Sequence, residues 1–179
     1  MKQLVKNVRL IDPSLGLDEV SDVLIENGII AAIGTTVVED DAEILDRTGC
    51  ICVPGLIDIH VHLREPGGEH KETIATGTAA AAHGGFVGVC SMPNTTPTTD
   101  NASVVDFVLE QAEKAHHCRV YPSGSCTKGL KGESLSEMGD MVSHGVVAFT
   151  DDGRGVQDSG MMRRVMDYAK MFNLSLIHI

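Results

Sequence analysis

The pattern of hydrophobic and polar residues changes near residue 53. Before that point, short apolar runs of strand length are separated by turn-forming residues. The pair Asn27-Gly28 lies between two such runs, at 21–25 and 29–33, and this arrangement is typical of a β-hairpin. The pattern predicts a small antiparallel β unit over residues 1–52.

From residue 53 onward, apolar strands alternate with amphipathic segments of helical length. The predicted strands are 53–64, 86–90, 119–121, 145–150 and the beginning of one at 174. The predicted helices are 70–83, 101–115 (with Asp100 as its cap), 134–143 and a last one around 161–169. Such alternation indicates a parallel sheet, in either a barrel or an open doubly wound sheet.

The strand at 53–64 ends in two histidines that are two residues apart. In a regular strand His60 and His62 project from one face, and the apolar residues between and beside them project from the other. Two imidazoles side by side favour a metal site. Two core histidines that each satisfy a hydrogen bond are the alternative.

Polar residues also follow the later predicted strands. Arg64 lies just beyond the two histidines, Asn94 follows the second strand, and Asp151-Asp152 follows the fourth. In a β/α barrel, chemistry lies at the carboxyl ends of the strands, whereas a doubly wound nucleotide-binding sheet requires a glycine-rich turn after its first strand. We therefore favour the barrel, although an Asp-Asp-Gly triplet fits a turn or helix cap as well as a metal ligand.

The chain is too short for a closed barrel. It has 179 residues, and a (β/α)8 barrel needs about 250. The prediction is an α/β fold in which residues 53–179 form the first half of a TIM-like barrel, with about four βα units and strand 5. Residues 1–52 would be part of a small β-sandwich domain, and the parent protein would be longer.

The charge balance narrows the class of partner. Lys and Arg number 14 against 25 Asp and Glu, a net charge of −11, which argues against nucleic acid and anionic membrane surfaces. No apolar run is long enough to span a bilayer, and the first residues lack a signal-peptide core, so we expect a cytoplasmic protein. An anionic substrate would need local positive charge from a metal ion or from Arg64.

Two histidines and a carboxylate at strand ends suit zinc, and a carboxylate can bridge two ions. Zinc makes water acidic enough to supply hydroxide near neutral pH and polarises a carbonyl group. The ligands therefore favour hydrolysis or reversible cyclisation of an amide.

Three motifs resemble those of one enzyme family. Residues 54–67 read PGLIDIHVHLREPG, which is similar to the signature of the cyclic amidases of the amidohydrolase superfamily. With SMPNT at 91–95 and AFTDDG at 148–153, the chain resembles the long bacterial dihydroorotases from residue 4 to about 174. The resemblance implies a zinc-dependent (β/α)8 barrel enzyme that interconverts N-carbamoyl-L-aspartate and L-dihydroorotate in de novo pyrimidine biosynthesis.

The resemblance also implies roles for individual residues. His60 and His62 would bind one or two zinc ions, and Asp152 would bind or bridge them. His62, Arg64 and Asn94 would bind the substrate, the last two through its carboxylate. The absence of a lysine from the fourth strand fits a site bridged by Asp rather than by a carboxylated lysine.

The chain departs from the family pattern at two places. Glu65 stands where an Asp is more common, and the histidine ligand of strand 5 is expected at Ile179. His178 lies one residue early, on the opposite face of a regular strand, so it is not counted as a ligand. The strand-6 ligand and a general-base Asp would lie beyond the chain, which is therefore expected to be inactive alone.

Three alternatives to a dihydroorotase stay open. An allantoinase or hydantoinase shares the paired histidines. A non-catalytic dihydroorotase-like subunit would scaffold a transcarbamoylase assembly, and the resemblance leaves a homo-oligomer or an aspartate transcarbamoylase as partner. A structural α/β domain without activity would make the polar residues at the strand ends coincidental.

Overall fold

The computed structural model describes residues 1–176 of the chain. The chain divides into two compact units, Met1–Pro54 and Gly55–Ile179. No helix within residues 1–176 has both the length and the apolar character needed to cross a lipid bilayer.

The first unit is a five-stranded sheet. Its strands are β1 (Lys2–Asp12), β2 (Leu17–Glu26), β3 (Ile29–Gly34), β4 (Glu43–Asp46) and β5 (Ile51–Cys52). β1, β2 and β3 pair antiparallel. The predicted hairpin at Asn27-Gly28 is present, and both residues have the positive φ of a tight hairpin turn, 52° and 80°.

The prediction that this unit is wholly antiparallel was wrong. β4 and β5 both pair parallel with β1. No tight turn joins β3 to β4, and the intervening segment 35–42 carries the chain back across the sheet, as parallel pairing requires. Val8, Leu10 and Val23 form the small core.

The second unit alternates strands and helices. Its strands are β6 (Leu56–Val61), β7 (Phe86–Ser91), β8 (Arg119–Gly124), β9 (Ala148–Phe149) and β10 (Ser175–Leu176). Its helices are α1 (Ile74–His83), α2 (Ala102–Ala115), α3 (Met138–Ser143) and α4 (Ser159–Lys170), with a 3-10 turn at Lys128–Leu130. The strands pair parallel in sequential order, β10-β9-β8-β7-β6.

The helices cover this sheet through two apolar clusters. One is centred on Val105, Met141, Phe149 and Val165 from α2, α3, β9 and α4. The other joins Leu63, Ile74, Val89 and Val108. Burying each large side chain contributes about 1.5–3 kcal/mol, so these clusters fix the strand ends in place.

Two helices begin later than the apolar pattern predicts. α1 begins at Ile74 because Thr73 and Thr76 form a capping box there. α3 begins only at Met138, since the chain before it forms a hydrogen-bonded loop. The cap of α2 is Asn101 rather than the predicted Asp100, whose carboxylate instead accepts a hydrogen bond from Gly129 N.

Candidate metal centre

The two histidines lie at the carboxyl end of β6, next to an irregularity in the strand. β6 ends at Val61, so His62 is already in the following loop. Asp58 and Val61 pair with Val89 and Ser91, which leaves one extra residue in β6 between them. This β-bulge turns the end of the strand, and the predicted regular alternation through residue 64 is therefore interrupted.

His60, His62 and Asp152 come together. The Nε2 atom of His60 lies 3.5 Å from Oδ1 of Asp152, and the Nε2 atom of His62 lies 3.5 Å from Oδ2. The ring centroids of His60 and His62 are 5.2 Å apart in an edge-on arrangement. One donor atom from each residue lies within 4.8 Å of the others. Three half-buried donors so placed can hold a metal ion, the number that proteins supply at catalytic zinc sites.

Asp151, the neighbour of Asp152, faces the protein interior. Its buried carboxylate accepts hydrogen bonds from the backbone N–H groups of Cys126, at 2.8 Å, and Thr127, at 3.1 Å, and from the Thr127 hydroxyl. Asp151 thereby anchors the β8–α3 loop and leaves Asp152 to face the histidines. Sequence reasoning missed this role, because nothing local distinguishes the two adjacent carboxylates.

Cys126, whose backbone N–H donates to Asp151, has a buried thiol in the apolar core. Burial, reinforced by the negative charge of Asp151, raises the pKa of its thiol to about 12. The thiolate is the nucleophilic form, so the neutral thiol of Cys126 serves here as a small apolar side chain.

Asn94, predicted to bind substrate, touches two of the three grouped residues. Its Oδ1 lies 3.0 Å from Nδ1 of His62, and its Nδ2 donates to Oδ2 of Asp152 at 3.3 Å. The loop after β7 therefore contributes to the same cluster as the ends of β6 and β9.

Arg64 lies two residues beyond His62 and forms no hydrogen bond or ion pair with the grouped residues in the described part of the chain. Its backbone is left-handed, with φ at 63°, in the loop that follows β6. Within residues 1–176, its guanidinium forms no side-chain hydrogen bond or ion pair. Its predicted substrate contact remains a prediction.

Glu65 has a structural partner that sequence reasoning missed. Its carboxylate accepts a hydrogen bond from Ile74 N at 2.8 Å, at the first turn of α1. A carboxylate stabilises a helix amino terminus through its unpaired N–H groups and its dipole. Glu65 therefore ties the loop that follows the histidines to α1.

The loops after β6 and β7 lie directly against each other. Thr96 N donates to the carbonyl oxygen of Pro66 at 2.9 Å. Gly67 has φ at 90°, and a Cβ placed there would lie only 2.2 Å from the Thr96 carbonyl oxygen. Glycine is required at this contact, which holds the two polar loops together.

A cleft of about 420 Å³ opens beside the grouped residues. His60, Asp152 and the exposed Arg154 contribute to its wall. This volume lies in the range of small-molecule sites, and Arg154 adds a positive charge that sequence reasoning did not single out. His178, which the sequence analysis does not count as a ligand, lies outside the described residues.

A family model described as dihydro-orotase-like matches residues 49–178. The chain belongs to the dihydro-orotase-like family. Curated relatives of this chain include two dihydroorotases. The one from Syntrophotalea carbinolica is 54% identical over 177 residues, and the one from Geobacter sulfurreducens is 49% identical over 178 residues. Each alignment covers 99% of this chain and 42% of the relative. The chain thus spans about 42% of their length, and the predicted resemblance is confirmed.

Solved structures confirm the fold of this dihydro-orotase-like chain. An L-hydantoinase (dihydropyrimidinase) from Arthrobacter aurescens superposes with a TM-score of 0.83 at 24% identity, covering 99% of this chain and 41% of the other. A crystal structure of a dihydroorotase gives a TM-score of 0.69 at 14% identity, covering 99% and 51%. The α/β fold is therefore a partial TIM-like barrel with a small β domain, as predicted, and the doubly wound alternative is excluded.

Proposed function

We propose that this chain carries part of the active site of a dihydroorotase, which cyclises N-carbamoyl-L-aspartate to L-dihydroorotate reversibly. The convergence of His60, His62 and Asp152 beside a cleft is the observation that carries the proposal. The dihydroorotases that are 45–54% identical to the chain support this substrate class. The metal we propose is zinc, as one or two ions.

The donor set fits zinc. Imidazole nitrogens and a carboxylate oxygen are its usual protein ligands besides cysteine. His60 and His62 would hold the ion through Nε2, and Asp152 would hold or bridge it through a carboxylate oxygen. When bound, zinc would polarise the amide carbonyl and make water acidic enough to lose a proton near neutral pH.

The remaining proposed roles concern the substrate. Its carboxylates need positive charge and N–H donors in a chain whose net charge is −11. We assign this role to Arg64 and Asn94, because a guanidinium fork matches a carboxylate, and His62 borders the same position. A homo-oligomer, an aspartate transcarbamoylase partner and a cytoplasmic location stay predictions from the resemblance and the sequence.

A hydantoinase is the competing function. Several solved hydantoinases share the fold at 20–24% identity, a level that supports the fold alone. The dihydroorotases are about twice as similar in sequence, so we favour them.

Zinc binding tests the site on this chain. We expect the chain dialysed against zinc to retain at least one ion by elemental analysis, and His60→Ala and Asp152→Ala to lose it. His117→Ala, a change at an exposed histidine away from the site, is the matched control. Zinc retained by both site variants would refute the assignment.

Activity has to be measured on the whole protein, because the chain spans about 42% of its relatives. Hydrolysis of dihydroorotate should exceed that of hydantoin and allantoin and should stop with a chelator. A preference for hydantoin or allantoin would replace the proposal with its competitor.

A further inference from the structure

We propose that Asn94 is a positioning residue of the metal site, which fixes the tautomer of His62 and orients Asp152. The inference rests on the proposed function, since it concerns how that site is held. It adds to the substrate contact proposed for Asn94, because the observed contacts join the amide to two proposed ligands.

The two contacts determine which way the amide faces. An ionised carboxylate only accepts hydrogen bonds, so the group 3.3 Å from Asp152 Oδ2 has to be the amide nitrogen of Asn94. The amide oxygen then faces Nδ1 of His62 at 3.0 Å. Because that oxygen only accepts, the Nδ1 atom of His62 carries the hydrogen.

The position of this hydrogen decides through which ring nitrogen His62 can bind a metal. With the hydrogen on Nδ1, the Nε2 atom of the neutral ring carries the lone pair. That atom is the one 3.5 Å from Asp152 Oδ2. In the other tautomer, an Nε2–H group would face the carboxylate and could donate to it, which would close the position between them. Asn94 therefore keeps the position open.

His60 has no equivalent support. Its Nδ1 atom is buried, and no hydrogen-bond partner for it exists in the described part of the chain. The two histidines therefore differ although they flank the same carboxylate, and loss of Asn94 should disturb His62 selectively.

The positioning role leaves room for substrate. An amide has two N–H donors and two acceptor lone pairs, and the contacts with His62 and Asp152 use one of each. The second N–H of Asn94 remains for a substrate carboxylate. The Asn94 side chain can thus hold the two proposed metal ligands in place and also donate a hydrogen bond to the substrate.

The tautomer can be read without any metal. In the chain labelled with ¹⁵N-histidine, at a pH of about 8 where imidazole is neutral, long-range proton–nitrogen correlations identify the protonated ring nitrogen. His62→Gln assigns the signals. We expect Nδ1–H for His62 in the unaltered chain and in Asn94→Asp, which keeps the acceptor oxygen. Asn94→Ala should shift His62 towards the Nε2–H form.

Zinc competition with a chromogenic chelator gives the second readout. We expect Asn94→Ala to weaken zinc binding roughly 10- to 100-fold, the range for lost partners of metal-bound histidines. Asn101→Ala is the matched amide control, since Asn101 caps α2 and is not one of the grouped residues. This variant should leave the zinc affinity within about twofold of that of the unaltered chain. Circular dichroism checks that each variant is folded.

Two results would overturn the inference. One is an Nε2–H form of His62 in the unaltered chain, and the other is an Asn94→Ala variant with unchanged tautomer and zinc affinity. An unaltered chain that binds no zinc would instead contradict the proposed function, and the tautomer measurement alone would then decide this inference.

Discussion

The carboxylate of Asp58 accepts a hydrogen bond from the backbone N–H of His60 at 3.0 Å, two residues further along the same strand. His60 has no partner in the register between β6 and β7. Asp58 therefore satisfies a backbone donor that the bulge leaves without a sheet partner. The backbone that presents the first proposed ligand is held by a side chain of its own strand.

Replacing Asp58 by Ala should weaken the metal site. The lost hydrogen bond costs about 1 kcal/mol of folding free energy, and the freed backbone should lower zinc affinity by about tenfold. Asp58→Asn keeps an acceptor oxygen and should stay close to the unaltered chain. Urea unfolding and zinc competition measure the two effects. An Asn variant as impaired as the Ala variant would show that the charge, not the acceptor, matters.

Replacing Asp151 by Ala should destabilise the chain strongly. It leaves the buried N–H groups of Cys126 and Thr127 without an acceptor, and each such loss costs about 1–3 kcal/mol. We expect a loss of about 3 kcal/mol in urea unfolding. Asp167→Ala removes an exposed carboxylate paired with Arg163 at 3.8 Å and should change stability by less than about 1 kcal/mol. Equal effects of the two variants would contradict the anchoring role.

The ion pair of His144 with Asp106 should make stability depend on pH. A hydrogen bond from His144 Nδ1 to Asp106 at 2.7 Å, helped by the charges of Asp106 and Asp140, raises the pKa of His144. Because the pKa of His144 is raised in the folded state, protonated His144 stabilises the fold, and this stabilisation is fully present at a pH below the ordinary histidine pKa of about 6.5. That stabilisation is lost as pH rises through the higher value.

The midpoints of urea unfolding, measured from below to above the ordinary histidine pKa of about 6.5, test the His144–Asp106 ion pair. The unaltered chain should lose stability as pH rises, whereas Asp106→Asn should lose less, and added salt should narrow the difference because the pair is exposed. Identical pH profiles for the two chains would show that other groups cause the dependence.

The sequence predicted those parts of the site that depend on local pattern. The alternation of apolar and polar residues placed His60 and His62 at one strand end, and the repeat of strands and helices placed Asn94 and Asp152 at others. Since parallel strands of a barrel share one carboxyl edge, these residues were expected to meet. His60, His62, Asn94 and Asp152 do lie together.

The parts that were missed depend on partners far away in the chain. Asp151 turns inward because Cys126 and Thr127 lie in the adjoining loop, and Asp100 is drawn from the helix cap to Gly129. The parallel pairing of β4 with β1 likewise joins residues about 40 positions apart in the chain, with no local turn motif to indicate it. Periodicity and capping rules describe neighbours within a few residues, so they cannot rank such distant acceptors and donors.

Among the strands within residues 1–176, the one that carries His60 lies at an edge of its sheet. β6 stands last in the strand order, and residues Ile57 and Ile59 are 58% and 64% exposed. An apolar strand edge readily pairs with a strand of another molecule. Pairing of β6 edges would associate separate molecules in a concentrated solution, so a zinc titration there would report association as well as binding at the site. Dilute protein is the condition under which a metal titration of this chain reports on the site itself.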